Sequence, residues 1–159
     1  MVEDVERQDT IAQEQQLVVF ELGDEEFGVD ISQVREIIRT GEIAHIPNAS
    51  EYVEGVINLR GQITTIVDPK KRFGLNSTER NSDERIIIVE LKDNSIGLMV
   101  DSVSEVIRLP TKDIEPVPPM IASKVDTYYL KGVGKLENRL LILVDLEKIL
   151  TEEELSRIG

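Results

Sequence analysis

The sequence contains no cysteine and no tryptophan, and only three phenylalanines and three tyrosines. Without cysteine the chain can form no disulfide and no thiolate metal site, which is compatible with a cytoplasmic protein. Hydrophobic residues still make up 40% of the chain, which is enough for a packed core. Because aromatic residues are scarce, that core must be built mainly from Val, Ile and Leu, and the β-branched types among them favour pleated sheets.

Basic residues are also in deficit, with 18 Lys and Arg against 31 Asp and Glu and a net charge of −13. An acidic surface repels phosphate backbones and anionic lipids, so we expect neither a nucleic-acid partner nor direct membrane insertion. The chain has no apolar run of about 18 residues, the minimum for a membrane span. Residues 1–15 are polar and acidic, which predicts a solvated tail and excludes a signal peptide.

What the sequence does contain is a series of short apolar runs, each followed by turn-forming residues. Runs of roughly four to eight residues with this punctuation predict an all-β fold, either small barrels or a sandwich. Pro69 and Gly74 bound a predicted short helix. Residues 151–159 predict a short helical end.

The chain repeats itself. Residues 20–39 match residues 89–108 without a gap, and residues 52–73 match residues 129–150. We therefore expect a first repeat over about 16–74, a linker over 75–84 and a second repeat over about 85–150. Each repeat is too small for a large core, so the two should pack together and share one. The pattern leaves open whether each repeat closes its own barrel or exchanges a hairpin with the other.

The duplication separates framework residues from unshared ones. Gly61 and Asn138 fall where a tight hairpin turn requires positive φ. By contrast, the stretch "VEGVINLRGQITTIVD" places Asn58 and Arg60 where the second repeat has Lys135 and Glu137. The hairpin itself therefore does not require Arg60, and we expect its side chain to point outward from a rigid turn.

No pattern supports catalysis. His45 is the only histidine and has no partner residues that suggest a triad. Asp68, Asp101 and Asp145 each follow an apolar run, and we interpret them as strand ends or helix N-caps rather than phosphoacceptors. No phosphate-binding loop and no metal-loop spacing is present. We expect no catalytic residue, no cofactor and no metal, and interpret the chain as a binding protein.

With "FELGDEEFGVDI", "VREII", "EGVINLRG", "IVELKDNSIGLMVDSVSEVI" and "YLKGVGKLENRLLILVDLEKIL" in this order, the chain resembles the CheW family of chemotaxis coupling proteins over roughly Gln16 to Leu155. The resemblance implies two SH3-like, five-stranded β-barrels packed over a shared apolar core, with short helical segments. It also implies a non-enzymatic adaptor that couples the histidine kinase CheA, through its regulatory domain, to the cytoplasmic hairpin tips of methyl-accepting chemoreceptors. Such a protein would be cytoplasmic and recruited to membrane-associated receptor arrays.

The resemblance also implies a partner-binding set. Positions that match the family's receptor-related residues, their neighbours in the same motifs and their repeat counterparts are Val34, Glu36, Ile37, Gly55, Ile57, Asn58, Leu59, Arg60, Val103 and Val106. A groove between two barrels suits an amphipathic helix. Val34, Ile57 and Val103 would supply apolar contacts there, and Arg60 would make a forked contact with a carboxylate. Glu36 would orient Arg60 when no partner is bound.

Four alternatives remain. Val34 and Val103 belong to the shared framework and could simply be core residues. The chain could be a two-barrel adaptor for a different signalling complex, or a coupling module related to proteins that carry a receiver domain. An enzyme acting through Asp68 or Asp145 is the alternative from another class.

Overall fold

A computed structural model describes residues 13–47, 49–76, 82–151 and 153–155. Within these ranges the strands are β1 (Glu14–Leu22), β2 (Glu25–Asp30), β3 (Val34–Arg39), β4 (Val53–Leu59), β5 (Gln62–Val67), β6 (Arg85–Leu91), β7 (Asn94–Val100), β8 (Ser102–Pro110), β9 (Ile114–Glu115), β10 (Leu130–Leu136) and β11 (Arg139–Val144). Two short α-helices, α1 (Pro69–Phe73) and α2 (Pro119–Ala122), join single 3₁₀ turns at Ile31–Gln33, Thr111–Asp113, Thr127–Tyr129 and Leu146–Lys148. The predicted all-β class with short helical segments is confirmed.

The predicted boundary of the N-terminal tail differs from the structure by two residues. Strand β1 begins at Glu14, so the tail predicted over residues 1–15 was extended two residues too far, and residues 1–12 lie outside the described residues. Within the predicted linker, residues 77–81 also lie outside them, and strand β6 starts at Arg85. Residues 153–155 of the predicted helical end are helical.

The strands form two sheets, and each closes into a small barrel. The first barrel has the order β3-β6-β7-β5-β4 and the second has the order β8-β1-β2-β11-β10-β9. Beyond β3 the chain bends so that Ala44 pairs with Val56 of β4, which closes the first barrel. Beyond β8 it bends so that β9 pairs with β10, which closes the second. The second barrel thus has a sixth, two-residue strand in addition to the expected five.

The sequence repeats and the barrels do not coincide. Hairpin β1–β2 from the first repeat pairs with β8 and β11 of the second. Hairpin β6–β7 from the second repeat pairs with β3 and β5 of the first. Each barrel therefore contains strands from both repeats, and the question that the sequence left open is answered by a reciprocal exchange of hairpins.

Three apolar clusters follow from this exchange. Leu17 and Val19 of β1 point into the second barrel, while the alternate residues Val18 and Phe20 point into a larger core between the barrels. The equivalent residues of β6 divide in the same way, with Ile86 and Ile88 inside the first barrel and Ile87 and Val89 in the shared core. Strands covered on both faces require continuous apolar runs, which explains "LVVF" and "IIIV".

The few aromatic residues are concentrated in the shared core. Phe20 stacks on Phe27 with ring centroids 5.9 Å apart, Phe27 on Phe73 at 5.7 Å, and Phe73 lies 5.6 Å from Tyr129. Phe73 comes from α1, which places this helix against the junction of the barrels. Offset stacking adds to the burial of large rings, so these residues anchor the two barrels to one another.

Aspartates end strands as the sequence predicted. Asp68 is the N-cap of α1 and accepts a hydrogen bond from the Lys70 backbone N–H at 2.9 Å, with Pro69 in the first turn and Gly74 at the C-cap. Asp145 caps the 3₁₀ turn at Leu146–Lys148. Asp101 lies between β7 and β8, where it makes a buried ion pair with Lys70.

Candidate functional site

The hairpin turn between β4 and β5 places Arg60 in an unusual backbone conformation. Arg60 has φ of 51° and Gly61 has φ of 86°, as a two-residue hairpin turn of type I′ requires. Few residues other than Gly, Asn and Asp adopt positive φ readily. Asn58 supports the turn because its Oδ1 accepts a hydrogen bond from the Gly61 N–H at 2.8 Å.

The equivalent turn of the second barrel is different. Among the described residues, positive φ outside glycine occurs at Arg60, Lys92 and Asp93. The prediction of positive φ at Asn138 is therefore wrong, although the prediction for Gly61 is correct. The reason is that turns of equal length can adopt several backbone types, and residue preference alone does not select among them.

Arg60 is held by a forked ion pair with Glu36 of β3. Its Nη1 donates to Oε1 of Glu36 at 3.1 Å, and its Nη2 pairs with Oε2. The hydrogen bond from Arg60 holds the pKa of Glu36 below its ordinary value of 4.5, and the same contact raises the pKa of Arg60. The Arg60 side chain remains 69% exposed, so much of the guanidinium faces solvent while its position is defined.

A cleft of about 500 Å³ opens beside this pair at one end of the first barrel. Ile88, which belongs to the barrel's interior cluster, lies among its lining residues together with Leu59. The other lining residues are polar or charged: Arg35, Glu36, Arg60, Gln62, Thr64 and Ser95. Arg35 is itself paired with Glu90 at 2.8 Å. The cleft is therefore lined mainly by polar side chains, with two apolar residues and two arginines that are each paired with a glutamate.

The second barrel has an ion pair of the same kind, which sequence analysis missed. Glu105, the repeat counterpart of Glu36, accepts from Nη2 of Arg139 at 2.6 Å, and Glu26 lies 3.4 Å from Nη1. The hydrogen bond to Glu105 raises the pKa of Arg139. Arg139 aligns with Gln62 rather than with Arg60, so position-by-position comparison of the repeats does not find it. Searching the β10–β11 hairpin for any cation near Glu105 would have found it.

Gly55 has a structural role that the duplication explains. Its φ is 152°, and an added Cβ would overlap the carbonyl oxygen of Ala44 on the segment that closes the first barrel. Gly132, its counterpart, has φ of 148°, and a Cβ there would lie 2.5 Å from the Glu115 carbonyl oxygen. Both glycines sit at a register shift that lets the closing strand approach. Gly55 therefore acts on the site through the barrel that carries Arg60.

The apolar members of the predicted set are separated by the fold. Val34 and Val103 pack against the shared core, which fits the alternative that they are core residues. Ile57 and Leu59 belong to the interior cluster of the first barrel, with Ile57 only 9% exposed. Ile57 thus belongs to a different apolar cluster from Val34 and Val103, and the expectation that all three line one groove stays a prediction. Residues two apart on β4 share a face, and here that face is the barrel interior.

Ile37 and Val106 are the predicted apolar residues that reach the surface. Ile37 is 40% exposed and Val106, its repeat counterpart, is 52% exposed. Together with Arg60, Glu36 and Asn58 they are the members of the predicted set that an approaching protein could touch directly. That any of these residues binds a partner stays a prediction.

Comparison with known proteins decides the family. The family model described as a CheW-like domain matches residues 16–154. The chain belongs to the CheW family.

Individual relatives agree with this assignment. The chain is 37% identical over 144 residues to the chemotaxis protein CheW of Klebsiella aerogenes, covering 91% of this chain and 86% of that protein. It is 39% identical over 139 residues to the chemotaxis protein CheW of Rhizobium meliloti, covering 87% and 89%. The crystal structure of the scaffolding protein TtCheW from Thermoanaerobacter tengcongensis superposes with a TM-score of 0.80 and 39% identity, covering 88% of this chain and 96% of that one.

These findings confirm the resemblance and place the chain in a family of chemotaxis scaffold proteins. In the part of the chain that the structure describes, none of the helices combines the length and the hydrophobicity of a membrane span.

Proposed function

We propose that this CheW-family chain is a chemotaxis adaptor that couples the histidine kinase CheA to the cytoplasmic hairpin tips of methyl-accepting chemoreceptors. It acts by docking, without chemistry of its own. Family membership supports the adaptor role. The observation that carries the receptor contact is Arg60, an exposed guanidinium held in a defined position on a rigid turn.

Arg60 is suited to exchange one carboxylate for another. In the free protein Glu36 occupies the forked face of the guanidinium. A carboxylate on a receptor helix can take the same geometry, because arginine presents its donors in a fixed planar fork. An exposed ion pair contributes little to stability, so its replacement by an intermolecular pair costs little free energy. Glu36 thus favours one orientation of the Arg60 guanidinium in the free protein.

To act as an adaptor, the chain must also bind the kinase. Its partner is the regulatory domain of CheA, which the family resemblance implies has a similar double-barrel fold. Contacts with both proteins would recruit the chain from the cytoplasm to membrane-associated receptor arrays, where several modest contacts in one assembly reinforce each other.

The experiment is an Arg60→Glu substitution with separate binding measurements for the two partners. We expect binding of a receptor cytoplasmic hairpin fragment to fall by at least about tenfold, since charge reversal removes the fork and adds repulsion. Binding of the CheA regulatory domain and the melting temperature should stay close to those of the wild type. Lys112→Glu is the matched control, because Lys112 is exposed and has no ion-pair partner among the described residues.

Three results would contradict the proposal in different ways. Unchanged receptor binding would remove Arg60 from the site. A large loss of melting temperature would make Arg60 a structural residue. Wild-type protein that binds neither the kinase domain nor the receptor fragment would favour an adaptor for a different signalling complex.

A further inference from the structure

Two surface patches repeat on the outer faces of β3 and β8. Ile37 is followed two residues later by Arg39, and Val106 is followed two residues later by Arg108. All four side chains are exposed. Residues two apart on a strand point to the same face, so each aliphatic side chain lies beside its arginine. We call Ile37 and Arg39 the first arm, and Val106 and Arg108 the second arm.

The arginines of both arms lack partners. Within the described ranges, Arg39 and Arg108 make no side-chain hydrogen bond and no ion pair, whereas Arg35, Arg60 and Arg139 all pair with glutamates. In a chain with 31 acidic and 18 basic residues, ion-pair partners are plentiful. Two repeat-related guanidinium groups that remain unpaired are therefore available to carboxylates from outside.

Unpaired lysines show that charge alone does not define an arm. Lys112 and Lys131 also lack an ion-pair partner among the residues that the structure describes. Neither has an exposed large hydrophobic side chain two residues away. The combination of an exposed aliphatic group and a free cation on one strand face is what the two arms share.

The two arms begin at a common centre. Strands β3 and β8 start with Val34 and Ser102–Val103, and both valines pack against the core between the barrels. Each strand also shifts register one residue after its valine, at equivalent positions. From each valine to its arginine is five residues, or roughly 16 Å of strand. The arms therefore extend from the junction of the barrels at matching distances.

We propose that the arms select an acidic amphipathic helix, one whose apolar stripe is bordered by Asp or Glu. Two residues of a strand span roughly 6.6 Å. Residues three or four apart on a helix have Cβ atoms roughly 5–6 Å apart, so an aliphatic side chain and a carboxylate one turn away match one arm. Because the chain carries a net charge of −13, most of its surface repels an acidic helix, and the unpaired guanidinium groups of the arms are the places where such a helix is attracted. This inference rests on the proposed function, in which the partner is a receptor helical hairpin. Hairpins whose apolar stripe is bordered by Asp or Glu should bind more tightly than hairpins without that border.

The test compares Arg39→Ala, Arg108→Ala and the double variant with the wild type, and uses Lys131→Ala as the matched control. The first probe is a receptor cytoplasmic hairpin fragment. The second is a pair of designed 20-residue helical peptides, about 30 Å long, one with a Leu stripe bordered by Glu and the other with Lys in place of each Glu. Titrations at low and high salt report the electrostatic part, because screening weakens exposed pairs.

We expect each single variant to bind the receptor fragment and the Glu peptide about threefold more weakly, and the double variant about tenfold. Lys131→Ala should change binding less than about twofold. The double variant should show a smaller salt dependence than the wild type, because the Arg60 contact remains. Wild-type affinity in the double variant for the Glu peptide, or a wild-type preference for the Lys peptide, would overturn the inference.

The results with Arg60→Glu and with the double arm variant distinguish failure of the arms from failure of the proposed function. If Arg60→Glu abolishes binding of the receptor fragment while the double arm variant binds it normally, the proposed function stands and the arms are overturned. If the wild type ignores the receptor fragment, the proposed function fails. The Glu peptide then decides the arms alone, since selective binding supports them and absence of binding overturns them.

Discussion

Replacing Lys70 with methionine should destabilise the protein more than any comparable surface change. The Lys70 side chain is 5% exposed and its Nζ lies 2.7 Å from Oδ1 of Asp101, whose side chain is 12% exposed. The other carboxylate oxygen of Asp101 accepts from the Gly23 N–H at 2.7 Å. This cluster connects α1, the β7–β8 corner and the β1–β2 turn. Methionine fills similar space but leaves the Asp101 charge buried without its cation.

The expected magnitude follows from the cost of an uncompensated buried charge. Removing one partner of a buried pair typically costs about 3–5 kcal/mol. Because Gly23 still donates to Asp101, we expect the lower value, about 3 kcal/mol. For a domain of this size each kcal/mol lowers the melting temperature by roughly 2–4 °C. The melting temperature should therefore fall by roughly 6–12 °C, measured by circular dichroism, with urea unfolding giving the free energy.

Lys71 supplies the matched control on the same helix. Its Nζ pairs with Glu54 at 3.2 Å, and the two side chains are 35% and 19% exposed. Lys71→Met should cost less than about 1 kcal/mol, because exposed pairs are weak. The double variant Lys70→Met/Asp101→Asn should recover much of the loss, since asparagine is neutral and can still accept from Gly23. Equal destabilisation by Lys70→Met and Lys71→Met, or no recovery in the double variant, would refute the reasoning.

Two further predictions concern the capping residue of α1 and barrel closure. Asp68 is 3% exposed, and burial raises the pKa of its carboxyl above the ordinary value of 3.8. The folded state therefore holds the proton more tightly than the unfolded state does. As the pH rises from 3.8 through the raised pKa, ionisation of Asp68 lowers the stability of the protein. Asp68→Asn should therefore be more stable than the wild type near pH 7, with a smaller gain near pH 4; urea titrations at both pH values check this, and a gain that grows in acid would contradict it. Gly132→Ala should cost about 1–3 kcal/mol because of its φ of 148° and the nearby Glu115 carbonyl, whereas Gly41→Ala, with no atom within 4 Å of the added Cβ, should be close to neutral in thermal unfolding.

The turn at Arg60 and Gly61 could be predicted from the sequence, because turn conformation depends on a few neighbouring residues. The turn residue Gly61 and the unmatched Arg60 were identified from a few neighbouring positions and from the repeat. The pairing of Glu36 with Arg60 was also expected, and the structure contains that contact. The α1 boundaries at Pro69 and Gly74 were predicted for the same reason, because capping depends on residues within one turn.

Other features of the candidate site could not be predicted, because they depend on contacts between strands that are distant in sequence. Ile57 was expected on a groove, but a strand has two faces and the apolar pattern of β4 does not say which neighbour covers each one. Arg139 was missed because it meets Glu105 from a position that the repeat alignment does not match. In both cases the deciding contact joins strands that are distant in sequence.

The sequence by itself determined the short strands, the turns and caps, the aliphatic character of the core and the presence of two related halves. These features arise from neighbouring residues and from a comparison of the chain with itself. Only the tertiary structure decided that the halves exchange hairpins, that Lys70 meets Asp101 in the interior, and that the exposed arms lie on β3 and β8. The physical reason is that strand pairing and burial depend on how both barrels close at once, and this requires contacts between residues as far apart as Gly23 and Asp101, separated by 78 positions.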